Sequence, residues 1–345
     1  MKAAGARGAR ARWAAVVAGL LLVFGAAVSP RIFAAGARAR DVSGALQTAQ
    51  RQFNAGNYSA AITTLQSAVQ QSPTSAEAFF WLGRSYYELH DYDNAITQLE
   101  KSTQLDAKNS DYHRWLGVAY GEKADRERSF FYAKKVKKEF QQAVQLNPSN
   151  IQARRDLMEY CVDAPWIVGG SKDEAKQQIE AIQKLDPIEG HLAQAVFYEV
   201  DKKPDLAEKE YREVLAAKPK KIEAYFEAAN FYTRQNKAPE VQAAIDAAAQ
   251  IAPNDPRLAY YRGVQRVLAG TDLGHGEEYL KAYLASTPDR SDWPPHAFAR
   301  DWLGRLYQQE GKRTEAAEQY RAALQLDPTM KDTKSRLEQL EKKGK

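Results

Sequence analysis

Residues 79–117 read FFWLGRSYYELHDYDNAITQLEKSTQLDAKNSDYHRWLG, and this stretch decides the fold. The pair Leu82-Gly83 recurs 34 residues later as Leu116-Gly117, and Ala61 and Ala95 are separated by the same distance. Between these landmarks the apolar residues follow a helical period. Self-similarity at a fixed period of this length is the sequence signature of a repeat architecture.

The period extends over most of the 345 residues. Each unit closes with a proline or, once, an alanine, at positions 73, 107, 148, 187, 219, 253, 288 and 328. The steps between these positions are 34, 41, 39, 32, 34, 35 and 40 residues. Each unit holds two helical patterns separated by a turn, and neither helix can bury its apolar stripe alone. We therefore predict an all-α solenoid of about eight stacked helix pairs in residues 42–329.

These landmarks resemble the tetratricopeptide repeat (TPR) family. The resemblance rests on the Leu-Gly pairs, on small residues such as Ala95 and Ala316 in the second helices, on aromatic residues such as Tyr320, and on the closing prolines. It implies a right-handed α-solenoid whose first helices line a concave groove. Residues 330–345 are expected to form a capping helix with one apolar edge.

The third unit is seven residues longer than the period, which favours a lengthened second helix. Tyr132, Val136, Phe140 and Val144 fall four apart and would form its buried stripe. The other faces of this one long helix carry the basic residues Arg126, Arg128, Lys134, Lys135, Lys137 and Lys138. We interpret that basic face as solvated, and the alternative is an anion- or lipid-binding ridge.

The fourth unit gains a loop at residues 164–172 that resembles a loop of exported bacterial TPR proteins. Its proline and paired glycines exclude α-helix there. Gly169, Gly170, Ser171 and Lys172 would form an anion site if their backbone N–H groups face a ligand at the start of the next helix. The competing interpretation is that Ser171 caps that helix and that Trp166 packs on the next repeat.

Residues 1–40 predict a signal peptide or an N-terminal membrane anchor followed by a linker. They hold seven basic and no acidic residues, and an uncharged apolar run occupies residues 13–28. Without these seven charges the net charge changes from +5 to −2 (42 basic and 44 acidic residues), which argues against nucleic-acid binding. We expect export to the periplasm or cell envelope, with a membrane tether through residues 13–28 if the leader is retained.

The sequence predicts no enzyme, no metal and no cofactor. The five histidines are at least 21 residues apart, which excludes a local histidine pair on one helix. No GxSxG motif is present. The single cysteine, Cys161, falls on the apolar side of a repeat helix and is interpreted as a packing residue.

The expected function is protein–protein interaction. The TPR resemblance places defined positions of each first helix in the concave groove, where a peptide or partner helix would bind. The resulting candidates are Phe80, Arg84, Tyr87, Arg114, Val118, Arg155, Glu159, Phe226 and Asn230. Exposed aromatics beside Arg84 and Arg114 would suit an acidic and aromatic peptide. The alternative is a small-anion or glycan binder, or a weak enzyme, that uses loop 164–172 and the basic helix.

Overall fold

The structure, a computed structural model, describes residues 30–286 and 288–342. These residues form seventeen α-helices and no strand. The predicted apolar run at residues 13–28 lies outside the described residues. Within the described ranges, no helix is both long enough and apolar enough to span a bilayer.

Sixteen of the helices form eight antiparallel pairs, as the repeat period predicts. The first helices are α1 (Pro30–Asn54), α3 (Ala76–Glu88), α5 (Ser110–Glu127), α7 (Ile151–Asp163), α9 (Pro187–Val200), α11 (Ile222–Arg234), α13 (Arg257–Ala269) and α15 (His296–Gln309). The second helices are α2 (Tyr58–Gln71), α4 (Tyr92–Leu105), α6 (Phe130–Leu146), α8 (Lys172–Leu185), α10 (Pro204–Ala216), α12 (Ala238–Ile251), α14 (Leu273–Ser286) and α16 (Arg313–Leu326). The last helix is α17 (Lys331–Lys342).

Each helix packs on the next one along the chain, and most first helices also contact the first helix of the following pair. This pattern is the all-α solenoid that the sequence predicts. The first helix, α1, starts at Pro30 and therefore includes residues that were expected to belong to the leader and linker. The buried core is described from Val42 onward.

The recurring glycines lie where two helices of a pair approach closely. A Cβ atom on Gly83 would be 2.7 Å from Leu99 Cγ, and one on Gly117 would be 2.6 Å from the Phe140 ring. At Gly304 the same atom would be 2.4 Å from Tyr320. The Leu-Gly landmarks are thus explained by packing, since any larger residue would push the paired helices apart.

The third repeat differs from the prediction of one lengthened second helix. The extra residues are shared, because α5 has 18 residues and α6 has 17, whereas most other repeat helices have 13 or 14. Arg128 adopts a left-handed conformation (φ 50°) between them, and the Ser129 hydroxyl accepts a hydrogen bond from the Tyr132 N–H at the start of α6. A serine cap and a left-handed residue stop one helix and start another. The predicted stripe is nevertheless on the packed face, with Val136 and Phe140 buried.

The C-terminal helix α17 covers the end of the last repeat. Leu340 and Thr333 are buried, and the Thr333 hydroxyl donates to Asp301 Oδ1 at 2.7 Å. Asp301, which is buried in α15, also accepts from Arg336 at 3.1 Å and from Arg305 at 2.7 Å. One buried carboxylate therefore fastens the cap to the last repeat.

Candidate functional site: the inner surface of the first helices

The first helices of successive pairs share one inner surface. A side chain of α7 reaches side chains of α9 and α11 there, because Arg155 contacts both Glu189 and Glu227. A cleft of about 520 Å³ opens on this surface between α5, α6, α7 and α9. We call it the inner cleft. Residues 164, 165 and 168 of the fourth-repeat loop form part of its wall.

Three of the predicted aromatic anchors are buried. Phe80 packs on the Tyr112 ring with centroids 4.8 Å apart, and Phe226 stacks on Tyr261 at 4.7 Å. Tyr87 contacts Tyr92 and Trp115. Each of the three is at most 8% exposed. The expectation of exposed anchors is therefore wrong for them, because these positions face the adjacent first helix and fill the contact between repeats.

Arg84 lies among aromatic rings. Its guanidinium carbon is 4.1 Å from the Trp115 ring centroid, 4.7 Å from Phe53 and 4.9 Å from Trp81. Burial, opposed by the nearby Glu88 carboxylate, lowers the pKa of Arg84 to about 10. No carboxylate within 4 Å pairs with it among the described residues. Cation–π contacts of this kind hold the side chain in place and leave it little freedom to reach a ligand.

Arg114, the second predicted donor, already has a partner. Its Nε atom lies 2.5 Å from Asp156 Oδ2, and both side chains are mostly buried. Since Arg84 is enclosed and Arg114 is paired, the wall for an acidic peptide that the sequence suggested does not form. The two arginines instead stabilise the stacking of repeats 2, 3 and 4.

Arg155 is a structural bridge. It donates two parallel hydrogen bonds to the Glu227 carboxylate, at 2.9 and 2.8 Å, and a third to Glu189 at 3.3 Å. Burial opposes its charge, but Glu227, followed by Glu159 and Glu189, holds the pKa of Arg155 above its ordinary value. The side chain links repeats 4, 5 and 6, and a peptide contact by Arg155 stays a prediction.

The inner cleft is acidic. Its lining includes five carboxylates and, among the described residues, no lysine or arginine; the carboxylates are Glu122, Asp125, Asp156, Glu159 and Asp163. Val118, Val196 and Val200 supply apolar floor between them. Val118 and Glu159 are therefore the predicted groove residues that line the inner cleft.

Glu159 has an unusual environment within this cleft. Its side chain is 47% exposed and lines the inner cleft. Desolvation raises the pKa of the Glu159 carboxyl, and the neighbouring charge of Arg155, 3.9 Å away, only partly offsets that effect. Asp156 and Glu227 raise it further by like-charge repulsion. A cation placed here would relieve this repulsion.

A second cleft, of about 350 Å³, lies over α11 and α13 and contains the predicted candidate Asn230. Its outer wall is the loop 288–295, which we call the closing loop. The Trp293 ring lies 5.6 Å from the Arg257 guanidinium carbon, and the Pro294 carbonyl accepts a hydrogen bond from Tyr283 at 2.6 Å. Sequence analysis did not single out this loop, although the 40-residue step from Pro288 to Pro328 signals an insertion.

The closing loop also reaches the first two repeats. Ser291 donates from its backbone N–H and its hydroxyl to the Glu88 carboxylate, at 2.9 and 2.8 Å. Arg290 donates to the Asn54 carbonyl at 3.4 Å, and a Cβ atom on Gly56 would lie 2.2 Å from Pro288 Cβ. The seventh and eighth repeats thus contact the first and second, and the superhelix closes on itself.

The fourth-repeat loop does not offer the predicted anion site. The N–H groups of Gly169, Gly170 and Ser171 donate to the carbonyls of residues 166, 165 and 161, and Lys172 forms an ion pair with Asp201. Ser171 caps α8 by accepting from the Glu174 N–H at 3.2 Å, as the competing interpretation stated. Its other half is wrong, because Trp166 is exposed and packs on no repeat.

The described side chains that could act as nucleophiles or metal ligands are not placed for that chemistry. Cys161 is buried, and burial raises the pKa of its thiol to about 12, so it stays protonated near neutral pH. Among the described residues no group of three His, Cys, Asp or Glu side chains is arranged to hold a metal ion. What remains available on the inner surface is an open, acidic and partly apolar cleft.

Comparison with known proteins gives the class. Models of the tetratricopeptide repeat match residues 52–117 and 297–330. These two segments are tetratricopeptide repeats, and helix pairs lie between them along the chain. No curated protein matches the sequence.

Several solved structures are similar to the chain. A tetratricopeptide repeat protein from Parabacteroides merdae is 12% identical, with 87% of this chain and 99% of that one covered and a TM-score of 0.47. A thermophilic TPR protein from Thermus thermophilus is 20% identical, with 55% and 98% covered and a TM-score of 0.45. YrrB, described as a TPR protein with an unusual peptide-binding site, is 18% identical, with 61% and 86% covered and a TM-score of 0.34. TM-scores below 0.5 carry no weight in assigning a ligand to this chain.

Proposed function

We propose that this protein is a non-enzymatic interaction scaffold that binds an extended segment of a partner protein in its inner cleft. Solenoids of stacked helix pairs create long concave surfaces of the kind that extended partners use. The observation that carries the proposal is the composition of the inner cleft, whose lining combines five carboxylates, one of them (Asp156) paired with Arg114, with a valine floor and contains no basic side chain.

This composition specifies the chemistry of the partner segment. Lysine or arginine side chains would pair with Asp163, which forms no ion pair among the described residues, and with Glu159, whose pair with Arg155 is long at 3.9 Å. Apolar side chains at alternate positions would contact Val118, Val196 and Val200. The preferred segment is thus basic and apolar, which reverses the acidic peptide expected from Arg84 and Arg114.

The test uses two synthetic peptides of equal length, one alternating lysine with leucine and the other alternating glutamate with leucine. Fluorescence anisotropy should show the lysine peptide binding at least about tenfold more tightly, a difference of about 1.4 kcal/mol. The double variant Glu159→Lys with Asp163→Lys should abolish that preference, because each substitution turns an attraction into a repulsion.

The matched control is Glu315→Lys, which reverses one exposed carboxylate on α16 outside the cleft. It should leave the affinity for the lysine peptide unchanged. Equal binding of the two peptides by the unaltered protein would refute the proposal. The same would follow if Glu315→Lys weakened binding as strongly as the cleft variant.

Export to the periplasm or cell envelope is part of the proposal and rests on the composition of residues 1–40. Deleting those residues should confine the protein to the cytoplasm while the helical circular dichroism signal is retained, because the export information lies in the leader. Continued export of the shortened chain would show that the leader was misinterpreted.

A further inference from the structure

The four most exposed large apolar side chains of the described residues lie on two adjacent segments. Phe130 and Phe131, at the start of α6, are 63% and 64% exposed. Trp166 and Ile167, on the 3-10 turn Trp166–Val168, are 83% and 56% exposed. Monomeric proteins rarely leave such residues exposed together without a reason.

The two segments are held side by side. The Tyr160 hydroxyl lies within hydrogen-bonding distance of both the Ala133 carbonyl, at 2.6 Å, and the Val168 carbonyl, at 2.8 Å. The Lys137 ammonium group on α6 donates to the Gly169 carbonyl at 2.7 Å. The turn that carries Trp166 is therefore fixed against the first half of α6, and we call the four exposed apolar side chains of these two adjoining segments the aromatic edge.

Unpaired basic side chains flank the aromatic edge. Arg128, Lys134 and Lys138 are exposed, and none forms an ion pair among the described residues, whereas the exposed Arg126 lies over the Tyr92 ring, 4.6 Å from its centroid. Lys134 and Lys138 continue the helical stripe that begins at Phe130, with a spacing of four residues.

Two of the three acidic residues that interrupt this basic stretch are neutralised. Glu127 pairs with Lys123 at 2.8 Å, and Glu139 pairs with His113 at 2.6 Å. The third, Asp125, lines the inner cleft. The α6 side of the aromatic edge therefore carries an excess of positive charge, while its other side borders the acidic inner cleft.

We infer that the aromatic edge docks on an anionic membrane surface. Trp and Phe are suited to the headgroup level of a bilayer, and flanking Arg and Lys are attracted to anionic lipids. The four side chains line neither the inner cleft nor the second cleft and are all more than half exposed, so they are accessible to a lipid interface. Membrane attachment of this type needs both apolar insertion and electrostatic attraction, and the edge supplies both.

The test places an environment-sensitive fluorophore at the tip of the full-length chain, through Ile167→Cys and a thiol-reactive NBD label. The native Cys161 is 1% exposed, and the unsubstituted chain shows whether it reacts. Vesicles of phosphatidylcholine containing phosphatidylserine should blue-shift and brighten the NBD emission. Pure phosphatidylcholine vesicles should give at least about tenfold weaker binding, and so should the variant Lys134→Glu with Lys138→Glu.

The control carries the same label at Ile251→Cys, an exposed position at the end of α12. Both labelled chains have the same leader, so attachment through the leader alone would leave the two probes equally unresponsive or equally responsive. A response at position 167 and none at position 251 supports the inference.

No change at position 167 with anionic vesicles would overturn the inference. An emission change that depends on protein concentration without vesicles would also overturn it and would assign the edge to a second copy of the chain. Circular dichroism of each variant checks that the solenoid is folded, since none of the substituted side chains is buried.

Discussion

Replacing Arg155 with methionine tests whether this side chain stabilises the packing of repeats 4, 5 and 6. Arg155 is 9% exposed and makes three hydrogen bonds to Glu227 and Glu189. Removing one partner of a buried ion pair costs about 3–5 kcal/mol, because the remaining carboxylate is left without compensation. Since Glu227 is 28% exposed and can regain water, we expect a loss of about 3 kcal/mol, the lower end of that range.

Urea denaturation followed by far-ultraviolet circular dichroism measures this loss. A double-mutant cycle with Glu227→Gln separates the pair from its surroundings, and the coupling between the two substitutions should exceed about 1 kcal/mol. The control is Lys281→Met, which breaks an exposed pair with Glu277 four residues away and should cost less than about 0.5 kcal/mol. A loss below about 1 kcal/mol for Arg155→Met, or fully additive substitutions, would refute the structural role.

Three further predictions concern packing, protonation and the cap. Gly117→Ala should destabilise the protein by about 1–3 kcal/mol in urea denaturation, because its Cβ would meet the Phe140 ring. Gly121→Ala lies one turn further along the same helix, has nothing within 4 Å, and should stabilise the protein by up to about 1 kcal/mol. The opposite order of the two stabilities would contradict the packing argument. Because the pKa of Glu159 is raised in the folded protein, ionisation of this carboxyl destabilises the folded state relative to the unfolded state. The free energy of unfolding of the unaltered protein should therefore fall relative to that of Glu159→Gln as the pH rises from about 4.5 to about 7. Parallel plots of unfolding free energy against pH for the two proteins would disprove this. Asp301→Ala should remove the bonds to Thr333 and Arg336, cost about 2 kcal/mol and speed amide hydrogen exchange throughout α17, and unchanged exchange there would show that the cap is held by its apolar contacts alone.

The fold could be predicted from the sequence because its determinants are local. Leu82-Gly83 and its copy at Leu116-Gly117 each mark the first helix of a unit. Gly83 lies against Leu99 on the second helix of the same unit. The pairing of α3 with α4 follows from such contacts, and the stacking of units follows from apolar stripes that neither helix can bury alone. The length of the third unit predicted extra helix, but only the capping geometry at Arg128 and Ser129 decides how it is divided.

The site could be predicted only in part because the inner surface depends on how successive repeats twist. Phe80 and Phe226 occupy groove positions by count, yet the rotation between adjacent first helices turns both into the contact between repeats. The bond from Arg155 to Glu227 spans 72 residues and passes over one whole repeat, so no pattern within a unit or between adjacent units predicts it. Val118 and Glu159 line the inner cleft, whereas Arg84, at the same position of its own helix, is enclosed by aromatic rings.

The contact between the closing loop and the first two repeats has a mechanical consequence. A solenoid can lengthen or shorten elastically, because each repeat contacts only its neighbours. Here Ser291 and Glu88 join the closing loop to the second repeat, one superhelical turn away. This contact fixes the superhelical pitch and therefore the width of the groove that a partner would enter. The contact consists of a few exposed hydrogen bonds, each contributing about 0.5–1.5 kcal/mol. A partner whose binding free energy exceeds their sum can break them and lengthen the superhelix without unfolding any helix.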